Sequence, residues 1–494
     1  MLFNSIDFII FFPIVVLMYY IIPKKMRYIW LLIASYYFYM SWNAKYAVLI
    51  LFSTVVTYLS GILLGRAKTT TSKKWIVAFS FVMNLGVLGF FKYFDFLLHN
   101  LNKVLQAVHI TAVDNPFSFL LPVGISFYTF QALSYTMDVY RGQIEPEKNF
   151  LKYALFVSFF PQLVAGPIER SGNLLKQIKD MEKKSMWNYE GAASGLIMML
   201  WGLFMKMVIA DRIALFVKEV FENVYRCGTV ETVLGAMAFA VQIYCDFGGY
   251  SAIAIGAAKI MGFDLMENFN APYFSESIAE FWRRWHISLS FWFRDYLYIP
   301  LGGSRCSKVK KYRNLAITFL VSGLWHGAAW TFVIWGGIHA IYQIVGDLLK
   351  PVKAKCNEIL HTNTQVFSYH FGRVCITFLL TCFAWIFFRV KSIGEAGHYI
   401  RNMFTKWNPW VIFDESLFGF GLDRREVGIL LFAILLLLAV DIIRVVKKET
   451  FGVFMMRQNL WFRYAVMIFL VVSIIVYGEY GVNFDSAKFI YFDF

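Results

Sequence analysis

Charge is the scarcest property of this sequence. Only 16% of its 494 residues are charged, against 59% hydrophobic and 19% aromatic, far from the balance of a soluble globular chain. That scarcity excludes a domain wrapped in a charged surface and implies a polytopic membrane protein. Acids are fewer than bases, 32 Asp+Glu against 47 Lys+Arg for a net +15. The bases sit mostly in short loops between apolar runs, so they read as a topology signal and no nucleic-acid partner is expected. Cysteine is also sparse. Cys227, Cys245, Cys306, Cys356, Cys375 and Cys382 include no C-x-x-C pair and no Cys/His cluster at ligand spacing, so no disulfide framework, metal site or bound cofactor is expected. The sequence has no P-loop, G-x-S-x-G elbow, H-E-x-x-H or Rossmann fingerprint, which removes the motif basis for nucleotide hydrolysis, serine hydrolysis and zinc proteolysis. Without a fixed-period repeat or low-complexity segment, one integral domain over 1–494 is expected. The first apolar run lacks the charged front and cleavage site of a signal peptide and is expected to be retained.

What is present is a succession of apolar runs. Four near-spanning runs open the chain, at about 6–22, 28–41, 46–65 and 75–91. Lys24, Lys25 and Arg27 follow the first, and Arg66, Lys68, Lys73 and Lys74 the third, whereas only Lys45 follows the second. The positive-inside rule then puts the N-terminus outside. Two stretches, PFSFLLPVGISFYTFQALSYTMDVYR from Pro116 and FVSFFPQLVAGPIER, hold Pro122, Gly124, Pro161, Gly166 and Pro167 among apolar residues. They are expected to be broken, re-entrant or kinked. Residues 174–184, with Lys176, Lys179, Lys183 and Lys184, read as a cytoplasmic basic surface. Spans are then expected at about 191–210 and 232–261, at 315–346 with a break around Ser322–Gly327, and at 371–389, 426–446 and 461–480, for roughly eleven in all. Asp246 is an acid at membrane depth, either paired with a buried cation or facing a polar cavity.

The stretch from Glu280 to His339 concentrates Arg, Trp and His in this apolar context. Ile278, Phe281, Trp282, Trp285, Leu289, Trp292 and Phe293 recur at helical spacing, which predicts one interfacial helix. Glu280 is placed to pair with Arg284 one turn on. His326, in GLWHGA, is the first titratable side chain after Leu315. A histidine there suits general base chemistry on a hydroxyl, worth about 10²–10⁴-fold, and equally suits a hydrogen bond between helices. Gly323 and Gly327 admit a substrate or a second helix to its ring, and Trp325 and Trp330 are placed to exclude water. His286 is the second candidate, able to orient the first histidine or to hold an acyl carbonyl. His339, thirteen residues after His326, falls on a different face of a continuous helix and reads as structural. These residues alone support a membrane enzyme or transporter that uses a buried histidine.

The strings FWRRWHISLSFWFRDYLYIPLGG and YRNLAITFLVSGLWHGAAWTFVIWGGIHA, with LLPVGISFYTFQALSYTMDVYRG, FFPQLVAGPIER and QIYCDFGGYSAIAIGAAKIMGFDLMENFNAPY in order before them, closely resemble the membrane-bound O-acyltransferase superfamily. The likeness is to the bacterial branch containing the membrane subunit of alginate O-acetyltransferase. It is strongest over about 1–345 and weaker over the C-terminal spans at about 371–480. The resemblance implies an all-α helical ring around a central tunnel, and acyl transfer from a cytoplasmic thioester to a hydroxyl. His326 matches the family's invariant histidine and His286 the second histidine; together they are the expected catalytic pair. Asp246, Trp325, Arg283, Arg284 and Asp295 are candidate substrate-binding or supporting residues. Where relatives often read D-F-S-G-Y-S-D, this chain has Ala252 in place of the last acid.

The expectation is a multi-pass O-acetyltransferase of the bacterial cell membrane acting on an exported polysaccharide such as alginate. Its donor is acetyl-CoA or an acyl carrier protein thioester, and its expected partners are membrane lipid, the polysaccharide acceptor and an extracellular SGNH-type protein. Arg305, Lys308, Lys310, Lys311 and Arg313 are placed to draw an anionic donor to the cytoplasmic mouth. Two alternatives are a D-alanyl transferase acting on teichoic acid with a carrier-protein donor, and a transporter or flippase without chemistry.

Overall fold

The computed structural model describes residues 1–115, 122–183, 188–480 and 490. The first six residues of the PFSFLL stretch, 116–121, and Lys184 of the basic stretch lie outside the described residues. Every regular element among the described residues is helical. In hydrocarbon each backbone N–H and C=O must be satisfied within the protein, and a long apolar run does so as a helix. Two of the long helices start with matching caps. Thr69 Oγ1 accepts from the Ser72 N–H at 3.2 Å ahead of Thr70–Ala107. Asp423 and Glu426 form a reciprocal capping box ahead of Arg424–Lys447, whose last turn carries Arg444 and Lys447.

Among the described residues, seven helical runs are long and apolar enough to cross a bilayer: Lys24–Arg66, Thr70–Ala107, Tyr189–Glu222, Thr229–Ile260, Phe367–Arg389, Arg424–Lys447 and Leu460–Tyr477. An eighth is added if Trp330–Leu348 and Lys350–Ile359, bent by 48°, form one span. The count falls below the expected eleven at three places. Ile6–Ile21 has 16 residues, and at about 1.5 Å per residue falls short of a ~30 Å hydrocarbon core. The expected spans at 28–41 and 46–65 fall within a single run of 43 residues, Lys24–Arg66, in which the extended backbone of Asn43 separates Arg27–Asn43 from Ala47–Arg66. The span expected over 315–346 is divided after His326, and its first half, Lys308–His326, carries four basic residues near its start.

The chain forms two compact units, 1–195 with 254–266, and 196–253 with 267–494. In the first, Ile125–Tyr140 is buried on nearly all sides against Ala47–Arg66 and Thr70–Ala107. Gly61, lacking a side chain, leaves room for the Tyr135 ring. Both expected interruptions are present. Gly124 starts this helix at φ +74°, and the second stretch breaks between Phe150–Ser158 and Phe160–Leu163, with Pro161 in the first turn. The two breaks touch, since a Cβ on Gly124 would come within 2.7 Å of the Leu163 carbonyl oxygen. Glu169 is a clasp: it is buried and accepts from the Met266 N–H and, at 2.8 Å, from Asn173 Nδ2. Gln177 adds two bonds, donating to the Asp264 carbonyl at 2.7 Å and accepting from its N–H at 2.9 Å.

In the second unit, Lys308–His326 and Trp330–Leu348 form a helical hairpin. The two backbones meet at Gly323 and Gly336: a Cβ on Gly323 would strike the Phe332 carbonyl, and one on Gly336 the Phe319 carbonyl. The far end is tied by Asp347 Oδ2, which accepts from Lys311 Nζ at 2.7 Å and Tyr312 Oη at 3.2 Å. A second glycine crossing, Gly202 against Gly249, joins Tyr189–Leu203 to Thr229–Ile260, each glycine facing the other's carbonyl. Just beyond it the π-helical turn Phe204–Ala210 sets Lys206 between Asp211 and Asp246, with Nζ 2.8 and 2.6 Å from their Oδ1 atoms. Asp246 is therefore paired with a buried cation; its Oδ2 accepts from the Ile490 N–H at 2.8 Å.

The single interfacial helix expected over 278–293 is two helices, Ile278–Arg284 and Ile287–Phe293. Between them Trp285 is extended and His286 takes the left-handed conformation at φ +43°. Apolar spacing survives such a break, because both halves keep their apolar side toward the same core. His286 is fully buried.

Candidate active site

The hairpin delivers His326 as the last residue of its first helix, with Gly327 already extended behind it. Gly327 has no alternative there, since a Cβ would overlap the Phe332 ring. The imidazole of His326 is 4% exposed. Its ring is boxed by Trp325, Trp335 and Phe388, with centroids 5.0, 5.1 and 5.3 Å away. Phe388 comes from Phe367–Arg389, which packs along Trp330–Leu348. Trp330, expected to wall the site, is 52% exposed at the start of the second helix. Trp335 takes that place, because the break after His326 re-phases every later residue.

His286 approaches from the kink between the two short helices, its ring centroid 6.3 Å from that of His326. Phe247 edges it at 4.7 Å and Trp325 lies at 6.1 Å, so Trp325 adjoins both histidines. The backbone of 268–270 runs beside the kink, with Ile287 N–H donating to the Asn268 carbonyl and Asn270 N–H to the Arg284 carbonyl, both at 2.9 Å. These bonds fix the left-handed residue, a conformation that costs a non-glycine residue about 1–2 kcal/mol. His286 Nδ1 is 3.1 Å from Asn268 Oδ1. Burial pushes the His286 imidazole down to about 3, so it is neutral in this site.

The structure thus brings together His326, His286 and Trp325. The other candidates make their pairings apart from the two rings. Asp246 is held by Lys206, and Arg284 by Glu280 at 2.7 Å, as its spacing predicts. Asp295 pairs with Arg294 at 2.7 Å, and Arg283 is exposed. Asp246 still bears on the site through its neighbour Phe247. His339 accepts a hydrogen bond from Trp282 Nε1 at 3.2 Å, within a box of Trp282, Trp335 and Phe281. That is a structural role, as expected. The helical-face count behind the expectation does not apply, because the helix is interrupted between His326 and His339. Asn268 was not singled out by the sequence. It lies in an irregular segment with no periodicity, and its only signal is a polar residue among the aromatics of MENFNAPY. Among the described residues, no three His, Cys, Asp or Glu side chains gather as a metal site.

A profile of MBOAT, the membrane-bound O-acyltransferase family, matches residues 147–390, which contain both histidines. The chain is 39% identical over 443 residues to "Probable alginate O-acetylase AlgI" of Pseudomonas aeruginosa, covering 88% of this chain and 81% of that one. It is 36% identical over 433 residues to "Peptidoglycan O-acetyltransferase" of Helicobacter pylori, covering 82% and 80%. To "Teichoic acid D-alanyltransferase" of Bacillus subtilis it is 27% identical over 288 residues, covering 56% and 70%.

Proposed function

The chain belongs to the membrane-bound O-acyltransferase family, and on that premise we propose that it moves an acetyl group from a cytoplasmic thioester to a hydroxyl of an exported cell-envelope polysaccharide. The observation that carries this reading is a pair of buried histidines with ring centroids 6.3 Å apart inside a wall of Trp325, Trp335 and Phe388. His326 takes the proton of the attacking hydroxyl as its oxygen bonds to the thioester carbonyl carbon. The C–S bond then breaks and the proton passes to the departing thiolate. The aromatic wall excludes water, which would otherwise hydrolyse the thioester.

Acetyl-CoA or an acyl carrier protein supplies the thioester, and the acceptor is reached from outside, in a bacterial cell membrane with the N-terminus outside. An alginate-like polymer and peptidoglycan are the two acceptors favoured by the names of the long matches. D-alanyl transfer ranks lower, because that likeness reaches just over half of this chain. The described chain presents little mass beyond its helices with which to hold a polymer. An extracellular SGNH-type partner therefore carries the acetyl group onward.

The test uses membranes containing the protein, a radiolabelled acetyl thioester and polysaccharide. His326→Ala should abolish transfer while leaving the protein folded. Unchanged transfer would overturn the enzymatic reading and favour a transporter. Full transfer to polymer by purified protein alone would remove the partner from the scheme.

A further inference from the structure

We infer that Asn268 is the positioning residue of the histidine pair, holding His286 as the Nδ1–H tautomer so that Nε2 carries the lone pair. The inference rests on reading His286 and His326 as the reacting pair. Asn268 is buried, as are Ser251, Ser288 and His286 around it. Its Oδ1 accepts from Ser288 Oγ at 2.9 Å and lies 3.1 Å from His286 Nδ1, while its Nδ2 donates to Ser251 Oγ at 3.1 Å. An amide oxygen has no proton to give, so the bond to the ring requires the proton on Nδ1. A neutral imidazole protonated there presents an acceptor at Nε2.

The assignment gives His286 a direction. In its neutral form it has no proton on Nε2 to offer an acyl carbonyl oxygen, which removes one of the two roles the sequence left open for it. What remains is to receive a hydrogen bond, from the acceptor hydroxyl or from the His326 ring, and so to orient the donor group. Two segments distant in sequence converge on the one amide: Ser251 from Thr229–Ile260, and His286 with Ser288 from the kink and the helix that follows it. Asn268 reaches the reacting groups only through His286.

The test compares Asn268→Ala and Asn268→Asp in purified full-length protein, with acetyl-thioester turnover normalised to folded protein. Aspartate keeps an acceptor facing Nδ1–H, whereas alanine removes it. Asn268→Ala should lower kcat by about tenfold or more, the scale of a mis-set general base pair, with donor KM unchanged. Asn268→Asp should recover most of that loss. Equal impairment of the two variants at wild-type melting temperature, or an Asn268→Ala enzyme within about twofold of wild type, would overturn the assignment. Solid-state ¹⁵N NMR of histidine-labelled wild-type protein in lipid reads the tautomer without any Asn268 variant, with His286→Gln used to assign the signal. A protonated Nδ1 supports the inference and a protonated Nε2 with bare Nδ1 refutes it. If wild type transfers no acetyl group, the proposed function fails, while the NMR reading still decides the tautomer.

Discussion

His339 and His326 both pack on the Trp335 indole, at centroid distances of 4.9 and 5.1 Å, yet substitutions at the two should separate cleanly. His339→Phe leaves the buried Trp282 N–H without its acceptor, a cost of about 1–3 kcal/mol. Thermal melts in detergent should show the loss, with turnover per folded molecule preserved, and His339→Gln should recover part of it. His326→Ala should do the reverse, ending turnover with little change in melting. His286 adds a pH dependence. Its folded value of about 3 lies below the ordinary 6.5, so below about 6.5 the unfolded chain binds the proton first. Stability from this group is complete above that pH and declines as pH falls toward 3. His286→Gln should therefore flatten the acid limb of melting temperature between pH 6.5 and 5; an unchanged slope would mean that the ring is not buried neutral. Both candidate histidines were legible in the sequence because titratable groups stand out among apolar neighbours. Asn268 was not, since a single amide in a loop announces nothing until two distant segments close on it.

The helical hairpin makes the sharpest demand at the scale of elements. Gly336 and Gly337 are neighbours with opposite surroundings: a Cβ on the first would strike the Phe319 carbonyl, while on the second it would lie 3.7 Å from a Leu320 methyl. Backbone cannot rotate away as a side chain can, so Gly336→Ala should cost about 1–3 kcal/mol and move His326 with its helix. Gly337→Ala should be neutral or stabilising, since alanine is the better helix former by about 1 kcal/mol. Melting curves and turnover of the two variants check this directly. Periodicity located the helical segments well but missed one discontinuity. It merged Ile278–Arg284 with Ile287–Phe293, because a kink at His286 leaves the apolar spacing intact. The break expected around Ser322–Gly327 is present after His326, and it decides which tryptophan faces the ring.

At the scale of the whole molecule, composition alone established a polytopic membrane protein, whereas the number of crossings depended on where helices join and stop. The basic segment ahead of the hairpin illustrates the difference between counting charges and placing them. Lys311 is held by Asp347 at 2.7 Å, while Arg305, Lys308, Lys310 and Arg313 are exposed. Lys308→Glu with Lys310→Glu should raise donor KM at low salt, an effect that fades as added salt screens it; an unaltered KM would leave those lysines to topology alone. Lys206 carries a different consequence, for biogenesis. The nascent run Tyr189–Glu222 enters the bilayer with Lys206 already facing Asp211, so its charges travel together. The next run, Thr229–Ile260, brings Asp246, an acid that costs about 2.5–3.5 kcal/mol at the centre of a lone helix and whose charge that earlier lysine meets. The two helices should therefore leave the insertion machinery as a pair. Lys206→Met should strand both acids and lower the amount of protein reaching the membrane, and Asp211→Asn with Asp246→Asn in the same chain should restore it.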